Sequence, residues 1–358
     1  MRTPLYEDHI ERHARMTEFA GWDMPLQYTG IAHEVGVVRT KVGLFDICHM
    51  GEFAVSGPRA LELLQHVTTN DVAALAIGRA QYTLLCNEKG GVIDDLIVYR
   101  MAEQDYLLIV NASNETKDFE WIASHNTFGA DLENQSAATG LIAVQGPMAE
   151  NLMQPLADFD LSKVGRFQIV SGLFAGLNCR IARTGYTGED GFEILSRMSD
   201  CPAIWAALLE CEKFGVEPIG LGARDVLRLE AGLPLYGYEL TDEITPVAAR
   251  LMWVVKPGKG EFIGRQAIMC AKEAGEPQIL VGIEAIDRCI PRHSCEVKKD
   301  KAIVGSVTSG TFSPTLGKGI AMAYLDKDQA AVGNQVGVYT SGRTCACQVV
   351  STPFYKRI

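Results

Sequence analysis

Residues Arg79–Met101 read RAQYTLLCNEKGGVIDDLIVYRM. Asn87-Glu-Lys-Gly-Gly91 is a turn signal between two apolar runs, so the stretch predicts a strand hairpin. Successive strand residues point to opposite faces. Asp95, Ile97 and Tyr99 then share one face, and Asp94, Leu96 and Val98 the other. Asp is a poor strand former and two in succession are worse, so the pair calls for a reason. The two carboxylates cannot serve one site. Tyr82 lies on the preceding strand of the hairpin. A face with Asp and Tyr at its edges suits a flat heteroaromatic ligand, whose ring nitrogens meet the acid and whose plane meets the tyrosines. On this segment alone a plainer reading is favoured, with the carboxylates accepting turn N–H groups and Tyr99 filling the strand.

Outward from the hairpin, EFAVSG (52–57) reads as a short strand meeting Pro58. In RALELLQHV, Leu61, Leu64 and Val67 fall on one helical side. DYLLIVN continues the sheet, and NETKDFEWIASH is a predicted helix with Asn114 as N-cap. GLIAVQGP is a strand, and CRIARTGYTGEDGFEILS reads as strand, glycine-rich loop, strand. DCPAIWAALLECEKFG is a helix that Asp200 can cap and Gly215 can end. GLGARDVLRLEAGLPLYG and GRQAIMCAKEAG hold two more, the second being the last helix. From about residue 278, short apolar segments such as QILVGIEA and GIAMAYL alternate with turns, the pattern of a barrel or sandwich. A domain boundary is therefore expected near residue 275.

A chain of 358 residues is too long for one ordinary core, so two or three domains are expected. Its 47% hydrophobic and 22% charged residues are those of a soluble globular protein, and no apolar run approaches a bilayer span. The polar start MRTPLYEDHIERHARM has no apolar leader segment, which makes a cytoplasmic location the default expectation. A formal charge of −11 argues against non-specific nucleic-acid binding, which draws on Lys and Arg. The ten cysteines contain no CxxC, and buried free thiols are favoured over a metal site. Cys345 and Cys347 would share one face of a strand.

The familiar catalytic motifs fail. GLGARD lacks the third glycine of a dinucleotide fingerprint, and TLGKG lacks the rest of a P-loop. There is no HExxH and no G-x-S-x-G elbow. Cys48-His49 reads as packing rather than a nucleophile pair. In GYTGEDG (185–191) the glycines let backbone approach a ligand, with Tyr186, Glu189, Asp190 and Glu193 as polar handles; a plain hairpin loop explains them equally well. Arg224 and Arg228 share a helix face as i, i+4 and can clamp carboxylates, with ion pairs to Asp225 and Glu230 as the plainer alternative.

Ten collinear blocks nevertheless form one pattern: RTPLYEDH, FAGWDMPLQY, VGLFDICHMGEF, NEKGGVIDDLIVYR, VNASNETKDFEWI, AVQGP, RTGYTGEDGFEI, GLGARDVLRLEAGLPLYG, VTSGTFSPTLGKGIAMAYL and PFY. Over nearly the whole chain it resembles the aminomethyltransferase family, the T-proteins of the glycine cleavage system.

The resemblance implies an α+β multidomain fold. Two interleaved α+β domains, roughly 1–50 with 138–250 and 51–137, form a folate-binding region within 1–275. A C-terminal β-barrel or jelly-roll domain covers 276–358. The implied substrates are tetrahydrofolate and the aminomethyl-loaded lipoyl arm of H-protein, and the products are 5,10-methylenetetrahydrofolate and ammonia. No metal, nucleic-acid or membrane partner is implied.

The family's catalytic acid maps to Asp95, and its folate contacts to Tyr82, Tyr99, Asn111, Tyr186, Glu193 and Arg224. The resemblance also implies that Met50 lines the cavity, with Tyr355 a weaker contributor. Cys48 stands where the family usually has Ser, and Tyr238 where Gln is common. The resemblance also extends to a folate-dependent demethylase and to a non-catalytic folate-binding relative. The latter's KGCYxGQE segment is replaced here by TGYTGEDGFE. The failed motifs agree with a reaction whose nucleophile is a substrate nitrogen, to which the protein adds proximity and one positioned acid or base.

Overall fold

The hairpin read from the sequence is present in the computed structural model, which describes residues 1–340 and 342–357. Its arms, Arg79–Cys86 and Val92–Arg100, begin a five-stranded sheet continued by Asp105–Val110, Gly51–Ser56 and Asp131–Asn134. Ile97 pairs with Ile109 and Tyr99 with Leu107, so the row containing Asp95 runs on to Asn111 at the end of the third strand. Asp94, Leu96 and Val98 are buried on the opposite face. Phe53 meets Phe119 of the helix Glu115–Ser124 edge to face, with ring centres 5.3 Å apart. Asn114 does occupy that helix's N-cap position, but its side chain makes no cap hydrogen bond. Tyr99 lies on the Asp95 face, as the period-two reading has it, and is only 1% exposed, with its hydroxyl against Thr184.

That second sheet has six strands in the order Ile169–Phe174, Leu177–Ala182, Gly191–Arg197, Thr139–Gln145, Val42–Asp46 and Val216–Pro218. The last is parallel to its neighbour, with Val216 opposite Val42, and the other pairings are antiparallel. Leu44, Ile142, Val144, Phe192 and Ile194 bury one face against Ile204, Trp205 and Leu208 of the helix Cys201–Leu209. That helix ends six residues before Gly215. A short 3-10 turn, Glu212–Phe214, intervenes, and Gly215 closes it in the left-handed region at φ 64°.

The C-terminal segments close into a six-stranded barrel: Gln278–Ala285, Lys318–Asp326, Ala302–Ser313, Glu296–Lys299, Gln335–Thr340 and Arg343–Val350. Alternation is visible along Lys318–Asp326. Ala321, Ala323 and Leu325 join the barrel core, while Ile320, Met322 and Tyr324 pack on Leu229 and Ala248 outside it. No described helix is long and apolar enough to cross a membrane.

Packing divides the chain into two compact units. One comprises Met1–Thr83, Asp95–Gly185 and Glu189–Arg224; the other comprises Leu84–Asp94, Tyr186–Gly188 and the chain from Asp225 onward. Residues 225–275, which the sequence reading joins to the N-terminal region, fall in the second unit. The expectation of free thiols throughout is corrected at one pair. Cys289 and Cys345 form a disulfide, because the connection after Gln278–Ala285 brings Cys289 to a Cα–Cα distance of 6.3 Å from Cys345, within bridging range. The other eight cysteines are free.

Candidate functional site

Three neighbouring strands present three polar side chains together. The Tyr82 hydroxyl donates to Asp95 Oδ2 at 2.8 Å. Asn111 Nδ2 donates to Asp95 Oδ1 at 3.0 Å and to the Asp95 carbonyl at 3.1 Å. Each carboxylate oxygen thus accepts a hydrogen bond from a neutral donor. Asp95, Tyr82 and Asn111 are all half-buried, whereas Asp94 is fully buried, so the adjacent acids have different surroundings.

On the same face, the Tyr99 hydroxyl meets Thr184 Oγ1 at 3.2 Å. Thr184 Oγ1 in turn donates to Glu193 Oε2 at 2.5 Å. A hydroxyl has one proton to give, so Thr184 accepts from Tyr99 and passes the polarity on to Glu193. Gln145 holds this corner by donating to the carbonyls of Thr184 (3.0 Å) and Phe192 (3.4 Å). A Cβ at Gly185 would fall 2.0 Å from Gln145 Oε1, which explains a glycine there. Burial pushes the Glu193 carboxyl above the usual carboxylate range, opposed by the Thr184 hydrogen bond and the Arg224 guanidinium. Burial also pushes the Tyr99 hydroxyl upward.

Met50 follows a tight turn leaving Val42–Asp46. Asp46 Oδ1 accepts the Cys48 N–H at 2.9 Å, and Met50 N–H donates to the Ile47 carbonyl at 3.2 Å. Asp46 is itself fixed by Thr3 (2.5 Å) and His9 (2.9 Å), a buried cluster that the sequence reading did not single out. Cys48 Sγ donates to the Leu141 carbonyl at 3.2 Å, a bond that Ser also makes. His49 is buried, and burial holds its imidazole down to about 4, with Arg224 adding to the effect and Asp46 opposing it.

Other polar residues singled out from sequence have structural partners. Glu189 pairs with Arg39 at 2.8 Å, both nearly buried. Asp190 takes the forked guanidinium of Arg183, which also reaches Glu150 at 2.9 Å. Arg228 pairs with Glu239 at 2.8 Å and with Asp225 at 2.8 Å, and it donates to Ser309 at 2.7 Å. Glu230 does not pair with it; Glu230 accepts from Ser313 (2.5 Å) and Thr315 (2.9 Å) instead. The Arg224–Arg228 clamp is therefore corrected: Arg228 is consumed inside the fold by a partner eleven residues on, and Arg224 is left half-buried on its helix.

Tyr82, Asp95, Tyr99, Asn111, Glu193, Arg224 and Met50 belong to the first unit. Tyr186 belongs to the second, where its hydroxyl donates to the Pro234 carbonyl. In that unit Tyr355 N–H donates to the Glu230 carbonyl at 2.8 Å. Tyr238 lies exposed against the His293 ring at 4.8 Å. Thr184 and Gln145 were missed from sequence, since nothing local marks a threonine as the partner of a tyrosine 85 positions away.

Residues 5–259 match the family model described as the GCVT N-terminal domain, and residues 279–356 match the glycine cleavage T-protein C-terminal barrel domain. The chain is 47% identical over 357 residues to an aminomethyltransferase of Desulforamulus reducens, covering 99% of this chain and 98% of that one. It is 49% identical over 367 residues to one from Symbiobacterium thermophilum, with 99% and 97% covered. Its structure is similar to the crystal structure of the glycine cleavage system aminomethyltransferase T of Bartonella henselae. The TM-score is 0.94 at 35% identity, over 99% of this chain and 98% of that one.

Proposed function

This chain belongs to the aminomethyltransferase family of glycine cleavage T-proteins, and from that premise we propose that Asp95 is its catalytic acid–base and that its folate site is built around that carboxylate. The protein is an aminomethyltransferase of the glycine cleavage system, and the reaction depends on tetrahydrofolate. The donor in our reading is the aminomethyl group carried on sulfur by the lipoyl arm of H-protein. Tetrahydrofolate N5 and N10 each form a bond to the transferred carbon. The C–S bond and the bond to the amine nitrogen break. The two protons that leave N5 and N10 end on the thiol and on ammonia, so the exchange balances without an external oxidant.

Each assigned side chain has a physical task in this scheme. Asp95 holds or takes the N10 proton, and Tyr82 and Asn111 keep its carboxylate in one orientation. Glu193 accepts pterin N–H donors at the ring edge, with Thr184 and Tyr99 behind it and Arg224 moderating its charge. Met50 supplies apolar wall. The protein's contribution is proximity plus one positioned proton carrier, because the substrate nitrogen is already a nucleophile.

The observation that carries this reading is the Asp95 carboxylate gripped by two neutral donors, one on each oxygen. Asp95→Asn keeps the size and removes the proton acceptor. Production of methylenetetrahydrofolate from loaded H-protein should fall by about 10²–10⁴-fold while tetrahydrofolate still binds. Wild-type turnover by this variant would refute the assignment.

A further inference from the structure

Three sulfurs remote in sequence from the residues assigned to folate converge in the barrel. Cys345 and Cys347 alternate along Arg343–Val350, and both belong to the barrel core, at 1% and 0% exposure. Cys289 arrives from the connection between Gln278–Ala285 and Glu296–Lys299 and is half-buried. The three Sγ atoms lie within 4.8 Å of one another. Cys289 and Cys345 stand as a disulfide, and Cys347 is free.

The spacing carries more than packing requires. Same-face neighbours on a strand start about 6.5–7 Å apart at their Cα atoms. The Sγ atoms of Cys345 and Cys347 are 3.7 Å apart, so the two side chains lean together. Two thiolates on tetrahedral positions 2.3 Å from zinc are about 3.8 Å apart. The connection that brings Cys289 is held against this strand by backbone and side chain. Ile286 N–H donates to the Ala346 carbonyl at 2.8 Å, Arg343 Nη2 donates to the Arg288 carbonyl at 2.8 Å, and Asp287 Oδ2 accepts the Ala346 N–H at 2.9 Å. The last contact fixes a carboxylate close to the sulfurs, a local charge that favours a cation. Soft thiolate donors select zinc and similar thiophilic ions over magnesium or calcium.

We infer that, once the disulfide is reduced, Cys289, Cys345 and Cys347 form a thiolate site for a thiophilic divalent cation of the zinc class. A dithiol reductant supplies the two electrons and two protons that split the S–S bond, and itself closes to a cyclic disulfide. The cation then displaces one proton from each of the three thiols. Disulfide and metal are alternative states of one cluster, because the bonded sulfurs cannot both ligate as thiolates. The site is remote in sequence from Asp95 and independent of the transfer chemistry.

Cobalt(II) is the probe, added to the full-length chain after reduction and anaerobic removal of reductant. The expected result is one equivalent bound, with a thiolate-to-cobalt charge-transfer band that zinc displaces. The band should be lost in Cys347→Ser, and in Cys289→Ser, whose half-buried side chain lies outside the strands and keeps the test separate from unfolding. It should be absent from protein oxidised to the disulfide and retained in Cys270→Ser, which alters an exposed free thiol. No charge-transfer band in the reduced wild type, or an undiminished band in both Cys289→Ser and Cys347→Ser, overturns the inference.

Discussion

Tyr82 donates its hydroxyl to Asp95 Oδ2 at 2.8 Å from the adjacent strand, so the orientation of the acid is set by a neutral neighbour rather than by an ion pair with that residue. Tyr82→Phe removes this one donor and keeps the ring. A hydrogen bond to a charged group is worth about 1.5–3 kcal/mol, so kcat should fall by roughly ten- to a hundredfold. Steady-state assays with loaded H-protein check this, alongside a thermal melt that should stay close to wild type. An unchanged kcat would remove Tyr82 from the site.

Thr184 is the single hydroxyl between Tyr99 and Glu193. Thr184→Val keeps the shape and deprives both neighbours of a partner. Leaving a buried polar group unsatisfied costs about 1–3 kcal/mol, and urea unfolding should show a loss of at least that size. Thr184→Ser should recover most of it. The valine variant also loses the bond that draws the Glu193 carboxyl downward, so its affinity for tetrahydrofolate should drop further at low pH than that of wild type.

Arg224 and Arg228 sit one helical turn apart and should answer differently to substitution. Arg228→Met leaves Glu239 buried without its guanidinium, a loss of about 3–5 kcal/mol in unfolding free energy. Arg224→Met should raise KM for tetrahydrofolate and cost less stability than Arg228→Met. Paired denaturation and kinetic measurements on the two variants separate a structural arginine from a ligand-facing one, and a reversal of the two phenotypes would exchange the assignments.

Glu52 is fully buried, and neither carboxylate oxygen has a hydrogen-bond partner among the described residues. Burial, then the Glu115 carboxylate, push it up to about 9. The folded state therefore keeps a proton that the unfolded chain releases near pH 4.3. Its contribution is fully present below the unfolded value and is lost as pH rises toward 9. Glu52→Gln removes this dependence. Its stability relative to wild type should improve between pH 5 and pH 8 by at most roughly 1.4 kcal/mol per pH unit. Urea titrations at the two pH values measure the difference; a gap independent of pH would mean that Glu52 is ionised in the folded protein.

Local patterns were readable in the sequence where one period governs them. The hairpin, the Asp95 face and the helix Arg265–Ala274 all follow from spacing within a dozen residues. Tyr99 shows where such reading stops. Its face was correct, but its burial depends on Thr184, 85 positions away. The acids of GYTGEDG looked equivalent in sequence. Glu189 is claimed by Arg39 across 150 positions and Asp190 by Arg183, which leaves Glu193 as the acid in contact with the Tyr99–Thr184 pair. Arg228 shows the same limit at shorter range, since helical spacing offered Asp225 and Glu230 while its buried partner is Glu239. Partner choice among several nearby charges is decided by tertiary packing, and no pattern in the sequence reports it.

The strand Val42–Asp46 lies between Thr139–Gln145 and Val216–Pro218, whereas every strand of the sheet bearing Asp95 falls within residues 51–134. A chain emerging from the ribosome therefore has the full set of strands for the Asp95 sheet while Val42–Asp46 still lacks both neighbours. Thr184 and Glu193 have not yet been made at that point. The nascent chain can grip Asp95 between Tyr82 and Asn111 long before it possesses the acid assigned to the pterin edge.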